Sequence, residues 1–530
     1  MIKRGIGRVP SVSICVYLWL IFLSSCSTKP TDLRTLVPAE TLVYLETNDL
    51  AAALQPIVDS KPFNEVAKKK PDFSALKGVQ VAVAVTGFET SEEKLTDEHS
   101  VGKVQPRFVA VAETHAWNYQ AVKFAELKLG SFVETIYDSE PTLEKSEKNG
   151  GKYFTWTARD GRKAYALVID SIIYFGNDET AIDKCLAVKR GEADSVAKSG
   201  KVQSADPATL ASGYVSTDGI AQIANIAGLK FASEAGEDSE VQSAIAGVLP
   251  QLLRSSITEI SWTATKTEQG IEDKYKIGMP PEVANVFNET MAAGDLPDTT
   301  LFKWLPADVP TATAYNLKNP QVAWRSILIL TQKQTDPVTS KMIAALSDMV
   351  FEPYGIKNGE TFFSAGVHFV TANFSPDGDK PVVVAVTAHP GKIGESLSPD
   401  LKSPTGKIDY DKINRSADGD LGAFFDEEFF VGGDAESVDR INQARPQGPD
   451  SGLNGALKFP FDPRSVAMTV GHDGLSVGKV TEILSAKKSD DAKAVSTYFT
   501  ETRFTRSGME RRTVSDFGLI GSIIAQLAEN

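Results

Sequence analysis

The sequence predicts an α+β fold made of two tandem, diverged repeats, each a mostly antiparallel sheet with helices packed against it. Three observations carry this expectation. The stretch IIYFGNDETAID at 172–183 has a second copy, EFFVGGDAESVD, at 428–439. Seven landmarks recur in the same order along both halves with drifting spacing, as expected of a copied unit whose loops have changed length. Neighbouring apolar runs are joined by Asp-Gly and Gln-Gly turns, which link antiparallel strands.

Composition agrees with a globular chain. Its 530 residues exceed one comfortable core, and 42% hydrophobic with 23% charged residues argues against disorder. The net charge is −14, and −17 without residues 1–25, which carry three basic groups and no acid. Nucleic acid is thereby excluded as a partner, since phosphate binding needs a basic face.

Residues 1–25 read as an export signal: Lys3, Arg4 and Arg8, then an apolar run from 12 to 23 that is too short to span a bilayer. Residues 26–35, with Pro30 and polar neighbours, read as a tether.

The first repeat is placed at 36–293. VPAETLVYLETND gives a strand at 42–46, after which Asp49 caps a helix through residue 67. Apolar, β-branched runs at 79–85 and 108–112 predict buried strands, with the polar 89–99 as a loop between them. Helical spacing covers 117–137. Strands follow at 153–157 and 164–169 around the Asp160-Gly161 turn. In the organising stretch an apolar run ends at Gly176, Asp178 caps a helix, and Gly191 closes it. A strand is expected at 210–215, an acidic loop at 234–240, a hairpin at 258–277 turning at Gln269-Gly270, and a helix at 282–293.

The second repeat, 302–530, restarts at Leu305, where LPADVPTATAYNLKNP parallels VPAETLVYLETND with Pro306 against Pro38. Lys380-Pro381 before VVVAV parallels Gln105-Pro106-Arg107 before FVAVA. Gly406-Lys407 parallels Gly151-Lys152, Asp418-Gly419 parallels Asp160-Gly161, and Asp473-Gly474 parallels Asp218-Gly219. The last hairpin, around Gly508, matches that around Gly270 and precedes a terminal helix at 515–529.

Leu23-Ser24-Ser25-Cys26 resembles the bacterial lipoprotein box. The resemblance implies that Cys26 becomes the mature N-terminus, carrying a thioether diacylglycerol and an N-acyl chain. Two or more such chains hold a protein stably at a membrane. Ser27 in place of Asp implies, by the same resemblance, the outer membrane, with the protein facing the periplasm. The VPAET and LPAD openings, with YFGNDETAID and GYVSTDG, resemble an uncharacterised domain-of-unknown-function family of exported bacterial proteins. That resemblance implies an envelope setting and no particular substrate.

Catalytic motifs are wanting. Gly474-Leu475-Ser476-Val477-Gly478 has the letters of a nucleophile elbow, but no histidine follows His472 to serve it, and the Ser-x-x-Lys spacing to Lys479 is commonplace. The histidines His99, His115, His368, His389 and His472 show no metal spacing, Cys185 is isolated, and no nucleotide-binding glycine motif occurs, so no metal and no cofactor is expected. His115 and His389 each lie three residues past an apolar strand, either as turn residues or as a speculative symmetric binding site. Asp178 and Asp434 read as helix caps rather than paired carboxylates, and Asp377-Gly378-Asp379 and Asp418-Gly419-Asp420 as turns rather than calcium loops. Phe424, Phe425, Phe429 and Phe430 read as strand core, or in a sharper reading as the lining of a lipid groove.

The expected function is therefore that of a non-enzymatic, lipid-anchored envelope protein with a binding or structural role toward an envelope partner. A carrier or sensor of a hydrophobic ligand held between the repeats is the alternative, and a hydrolase assembled only by the fold is the third.

Overall fold

A computed structural model describes residues 30–527, except 68, 95–99, 138, 203–205, 207, 235–238, 295–298, 334, 336–339, 342, 344–346, 377, 404–405, 411, 427–428, 445–451, 454–461 and 486–493. The signal segment, Cys26, His99 and Asp377 lie outside the described residues, as does most of the expected acidic loop.

The first half opens with β1 (Val43–Thr47) and α1 (Leu50–Asp59), where Asp49 Oδ1 accepts from Ala52 N. The single helix expected to residue 67 is broken. Ser60 leaves helical geometry and caps a second helix, α2 (Lys61–Val66), with Pro62 in the first turn, where its missing N–H goes unneeded. β2 (Gln80–Lys94) and β3 (Ser100–Glu113) pair from Gln80↔Glu113 to Lys94↔Ser100, so strand takes in much of the expected 89–99 loop. The helix expected over 117–137 is α3 (Asn118–Phe124), a π-helical stretch (Ala125–Leu129) and α4 (Gly130–Tyr137).

Next come β4 (Thr142–Lys148), too polar to have been foreseen, β5 (Gly151–Thr157), β6 (Lys163–Ile169) and β7 (Ile172–Gly176). Asp178 Oδ1 accepts from Thr180 N at the start of α5 (Glu179–Lys189). After β8 (Thr209–Val215) the chain forms a helical pair, α6 (Thr217–Glu234) and α7 (Ser239–Ser256), which sequence patterning did not bring out. β9 (Glu259–Thr267), β10 (Gly270–Gly278) and α8 (Pro281–Thr290) complete the half.

The second half runs β11 (Thr311–Tyr315), α9 (Pro320–Lys333), α10 (Gly359–Ser364), β12 (His368–Asn373), β13 (Pro381–Val386), α11 (Pro390–Ser396), β14 (Asn414–Arg415), β15 (Leu421–Asp426) and β16 (Phe429–Asp434). It continues with α12 (Ala435–Gln443), β17 (Ala467–Asp473), α13 (Leu475–Ser485), β18 (Ser496–Thr505), β19 (Gly508–Ser515) and α14 (Gly518–Leu527). Asp434 Oδ1 accepts from Ser437 N, the cap expected of it.

Every ladder between described strands is antiparallel, and the pairings form one sheet. The order is β4-β5-β6-β7-β3-β2-β1-β8-β9-β10-β19-β18-β17-β11-β12-β13-β16-β15-β14. The fold is thus α+β with a large antiparallel sheet, and the halves meet in it at β10 and β19.

Neighbour relations in the two halves run in the same sequence, so positions can be matched by register. Val43 pairs with Val85 and Val215, and Thr311 pairs with Asn373 and Gly471, which matches Val43 to Thr311. Carried across the ladders, this matching puts Gly433, not Gly432, at the place of Gly176. A Cβ at either glycine would lie 2.2 Å from a carbonyl oxygen, Phe108 O or Pro381 O, so the pleat requires glycine at both. The link to the following helix is one residue shorter in the second half. Gly406, at φ 73°, closes a turn in which Ser403 N donates to Lys407 O, and among the described residues no strand adjoins it; the parallel with Gly151 does not extend to a hairpin there.

On one sheet face, Tyr44, Val109, Val111 and Tyr174 pack under α5, while Ala312, Val382, Val384 and Val431 pack under α12. The other face holds a core drawn from both halves: Ile57, Phe63, Trp262 and Ile271 meet Val477, Val480, Phe517 and Ile524. Helix α14 packs on α1 and β10, and α8 packs on α9, β18 and β19, so each terminal helix covers the other half.

Candidate functional site

That second face is covered by two separate groups of helices in the first half, α1 and α2 with α14 over β1 and β8 to β10, and α3 to α4 over β3 and β5 to β7. Between them is a cavity of about 200 Å³. Its floor is Val79 just before β2 and Val81 on it, Ala110 and Ala112 on β3, and Ile173 and Phe175 on β7. Leu50 closes one side, and Gln120, Phe124 and Leu129 close the other. Ala110 and Ala112 on β3 and Thr114 just past its end face the slot in succession, so it runs along this line for roughly 13 Å at 3.3 Å per residue.

The cavity is dry chemistry. Thr114 Oγ1 already donates to Ser171 O, and Gln120 Oε1 accepts from Trp117 N. Apolar cavities of ~150 Å³ lined this way stay empty of water and take up benzene-sized molecules.

A helical irregularity shapes the wall. Phe124 and Leu129 both face the slot although five residues apart, which the π-helical turn allows and a regular helix, with its four-residue repeat, would not. Close by in sequence, Trp117 and Tyr119 stand 75% and 66% exposed, with Leu127 and Phe132 also outward.

The matched region of the second half is filled. Phe369 stands at the place of Val81, Val383 at Ala110 and Phe430 at Ile173. These side chains are buried among Phe362, Ile393 and Leu397, with Phe362 ring centroids 6.1 Å from Phe369 and 6.3 Å from Phe430. Gly432 stands at the place of Phe175, and there the Phe430 ring and Tyr354 O take the room. The matched positions of the second half are therefore filled where those of the first leave space.

The histidines do not form a pair. His115 matches Ala388, and His389 matches Ala116, whose N–H groups both bond to the hydroxyl two residues back, Thr114 and Thr387. Ten strands separate β3 from β13 in the sheet order. His115, at φ 51°, bonds Nε2 to Gln80 Oε1 at 3.2 Å while its N–H donates to buried Glu113. His389 is exposed at the start of α11.

Buried Gln80 is a junction: Oε1 also accepts from Thr31 N, and Nε2 donates to Thr31 O and Asn48 Oδ1. Thr31 thus lies against Gln80 on the α5 face of the sheet, while the flanking Val79 and Val81 floor the cavity on the other face.

Elsewhere the polar groups are structural. Ser476 bonds to Asp473 in a cap rather than facing a base. Burial alone pushes the Cys185 thiol up to about 12, a poor nucleophile. Phe424, Phe425, Phe429 and Phe430 are buried in cores on both faces, which leaves no groove for lipid among them. Among the described residues no group of three His, Cys, Asp or Glu could hold a metal, and no helix is long and apolar enough to cross a membrane.

The lining residues escaped sequence inspection because Val, Ala and Ile in strands read as ordinary core. The signal was present in FVAVAE against VVVAV: the first half carries Ala110 where the second carries Val383. Compared with known proteins, the chain matches no family model, no curated protein and no solved structure.

Proposed function

We propose that the chain is an envelope lipoprotein, anchored through Cys26 to the outer membrane and facing the periplasm, that binds a hydrophobic ligand in the cavity of its first half. The observation that carries the binding role is the contrast between that cavity and its filled counterpart. Leaving apolar surface unpacked forfeits the contacts that would otherwise cover it. A space of 200 Å³ is an expense that the other half avoids with two phenylalanines and a valine. A ligand that fills it recovers this energy together with the transfer energy of its own apolar surface.

The ligand site lies within one half rather than between the two. We read the halves as diverged copies of one unit, about residues 36–293 and 302–530, because the matched ladders, caps and paired glycines recur in one order. In that reading the second copy is the scaffold, and the first has been adapted to bind. No reaction is proposed: the lining offers no titratable group to carry one.

The test is extraction and mass spectrometry of Cys26→Ala protein, which has no acyl chain of its own, purified without detergent, beside the same chain carrying Val81→Phe. A stoichiometric hydrocarbon ligand in the first that is absent from the second supports binding. Equal, sub-stoichiometric lipid in both contradicts it.

A further inference from the structure

Resting on the lipoprotein reading and on the apolar cavity, we propose that one acyl chain carried by Cys26 folds back into the slot between α1 and α3 to α4, so that the protein holds part of its own anchor.

Three observations converge on this occupant. First, the chain leading from Cys26 is pinned to the strand that floors the cavity, though on the opposite face of the sheet. Thr31 is held by two hydrogen bonds of 2.8 Å to Gln80, whose flanking residues Val79 and Val81 form the floor. Five residues separate Cys26 from Thr31, a reach of at most roughly 18 Å. An acyl chain at Cys26 therefore starts within that reach of Thr31 and has to round the end of β2, beside Asn48 and His115, which also bond to Gln80, to enter the slot on the other face.

Second, the hollow is in the half that has such a donor. The segment entering the second half, Gly294 to Trp304, contains no cysteine, and the matched space there is packed with Phe369, Val383 and Phe430. Cavity and attachment point occur together, and both are missing together.

Third, the shape suits a chain. The floor is a narrow track of Ala110, Ala112 and Thr114 between the larger Val81 and Phe175. Its lining is apolar apart from Thr114 and Gln120, as expected if only hydrocarbon enters.

The consequence for anchoring is graded. Each methylene withdrawn from the bilayer gives up apolar burial there and regains it in the slot, so exchange between the two costs little. With one of three chains housed, two remain in the bilayer, enough for stable attachment.

The experiment uses the full lipidated chain in its own membrane, grown with photo-leucine, which is isosteric with leucine and leaves the packing intact. Leu50 and Leu129 line the slot, whereas Leu127 is exposed and serves as the surface reporter. After irradiation, mass spectrometry is expected to show Cys26-borne acyl chain joined to peptides containing Leu50 or Leu129. The yield should fall at least tenfold in Val81→Phe and in Ala110→Val, which copy the filled half in two independent ways. Adducts of free phospholipid at Leu50 and Leu129, with none from Cys26, would overturn the self-occupancy while leaving an apolar ligand site intact. Failure of both kinds of adduct at those leucines would remove the ligand site as well. A mature protein without lipid on Cys26 would remove the anchor and this inference with it.

Discussion

Lys274 on β10 and Arg512 on β19 lie directly opposite each other where the two halves of the sheet meet, and each occupies the other's place in the matched register. Like charges facing across a ladder repel. Here they are neutralised by buried carboxylates: Glu272 accepts from Lys274 at 2.7 Å and from Arg512, and Glu501 accepts from Arg512 at 3.0 Å. Burial opposes the charge on Glu272, but the hydrogen bonds from Lys274 and Arg512 outweigh it and hold its carboxyl below the usual range.

Arg512 ties a carboxylate from each half, so Arg512→Ala leaves Glu272 and Glu501 buried without their shared partner. Removing one member of a buried pair costs about 3–5 kcal/mol. Because a third of the Arg512 side chain reaches solvent, the expected loss is nearer 2–3 kcal/mol, read by urea denaturation. Adding Glu272→Gln and Glu501→Gln to the alanine variant should restore more than half of it.

Gly270 and Gly508 start the two matched strands at φ 132° and 139°. A Cβ would lie 2.4 Å from Ser515 O at the first and 2.1 Å from Ile277 O at the second, and Ser515 and Ile277 are themselves matched positions. Gly270→Ala and Gly508→Ala should each lower stability by about 2–3 kcal/mol. Calorimetry should show a single transition that moves as a whole in both variants, since sheet and core are continuous across the junction.

Asp273, on the opposite face of β10, accepts from Trp262 Nε1 at 2.8 Å and from Leu519 N at 2.9 Å, which fastens α14 of the second half to the first. Burial pushes its carboxyl up to about 6; the two donors pull it down only in part, and Glu272 adds to the rise. A folded-state value above the unfolded one means that the stabilisation is fully present below about pH 4 and is lost as pH rises through 6. Asp273 alone should thus cost up to about 3 kcal/mol between pH 4 and pH 7.5. The pH dependence of denaturation should flatten across that window in Asp273→Asn, and an unchanged slope would contradict the assignment.

Filling the slot should stabilise the empty protein. Ala110→Val copies Val383 and adds two carbons, worth about 1 kcal/mol when the site accepts them without strain. The expected outcome is a small rise in Tm of unliganded protein together with loss of ligand binding, a pairing that general damage to the fold would not produce.

Much of this architecture was legible in the sequence. The Asp178 and Asp434 caps, the turns at Gly161, Gly270, Gly419 and Gly508, and the antiparallel pairing all follow from local chemistry that acts over a few residues. Less local features were not. Sequence similarity set Gly176 against Gly432 and His115 against His389, each one residue from the register that the ladders impose, because identical letters do not report which side of a pleat they occupy. The strand β4, nearly all of it LEKSEK, and the helix α6 lack the apolar contrast that marks an element, and α7 carries Pro250 inside it. The cavity was least visible, since it depends on what fails to fill the space above Ala110 and Ala112, which several distant segments decide together.

The most direct measurement is a fluorescence titration of Cys26→Ala protein, purified without detergent, with the apolar probe N-phenyl-1-naphthylamine. One saturable site per chain, lost in Val81→Phe and in Ala110→Val but retained in Gly508→Ala, is the result expected of a first-half hydrophobic site. Binding that is absent, non-saturable or indifferent to both filling substitutions would contradict it.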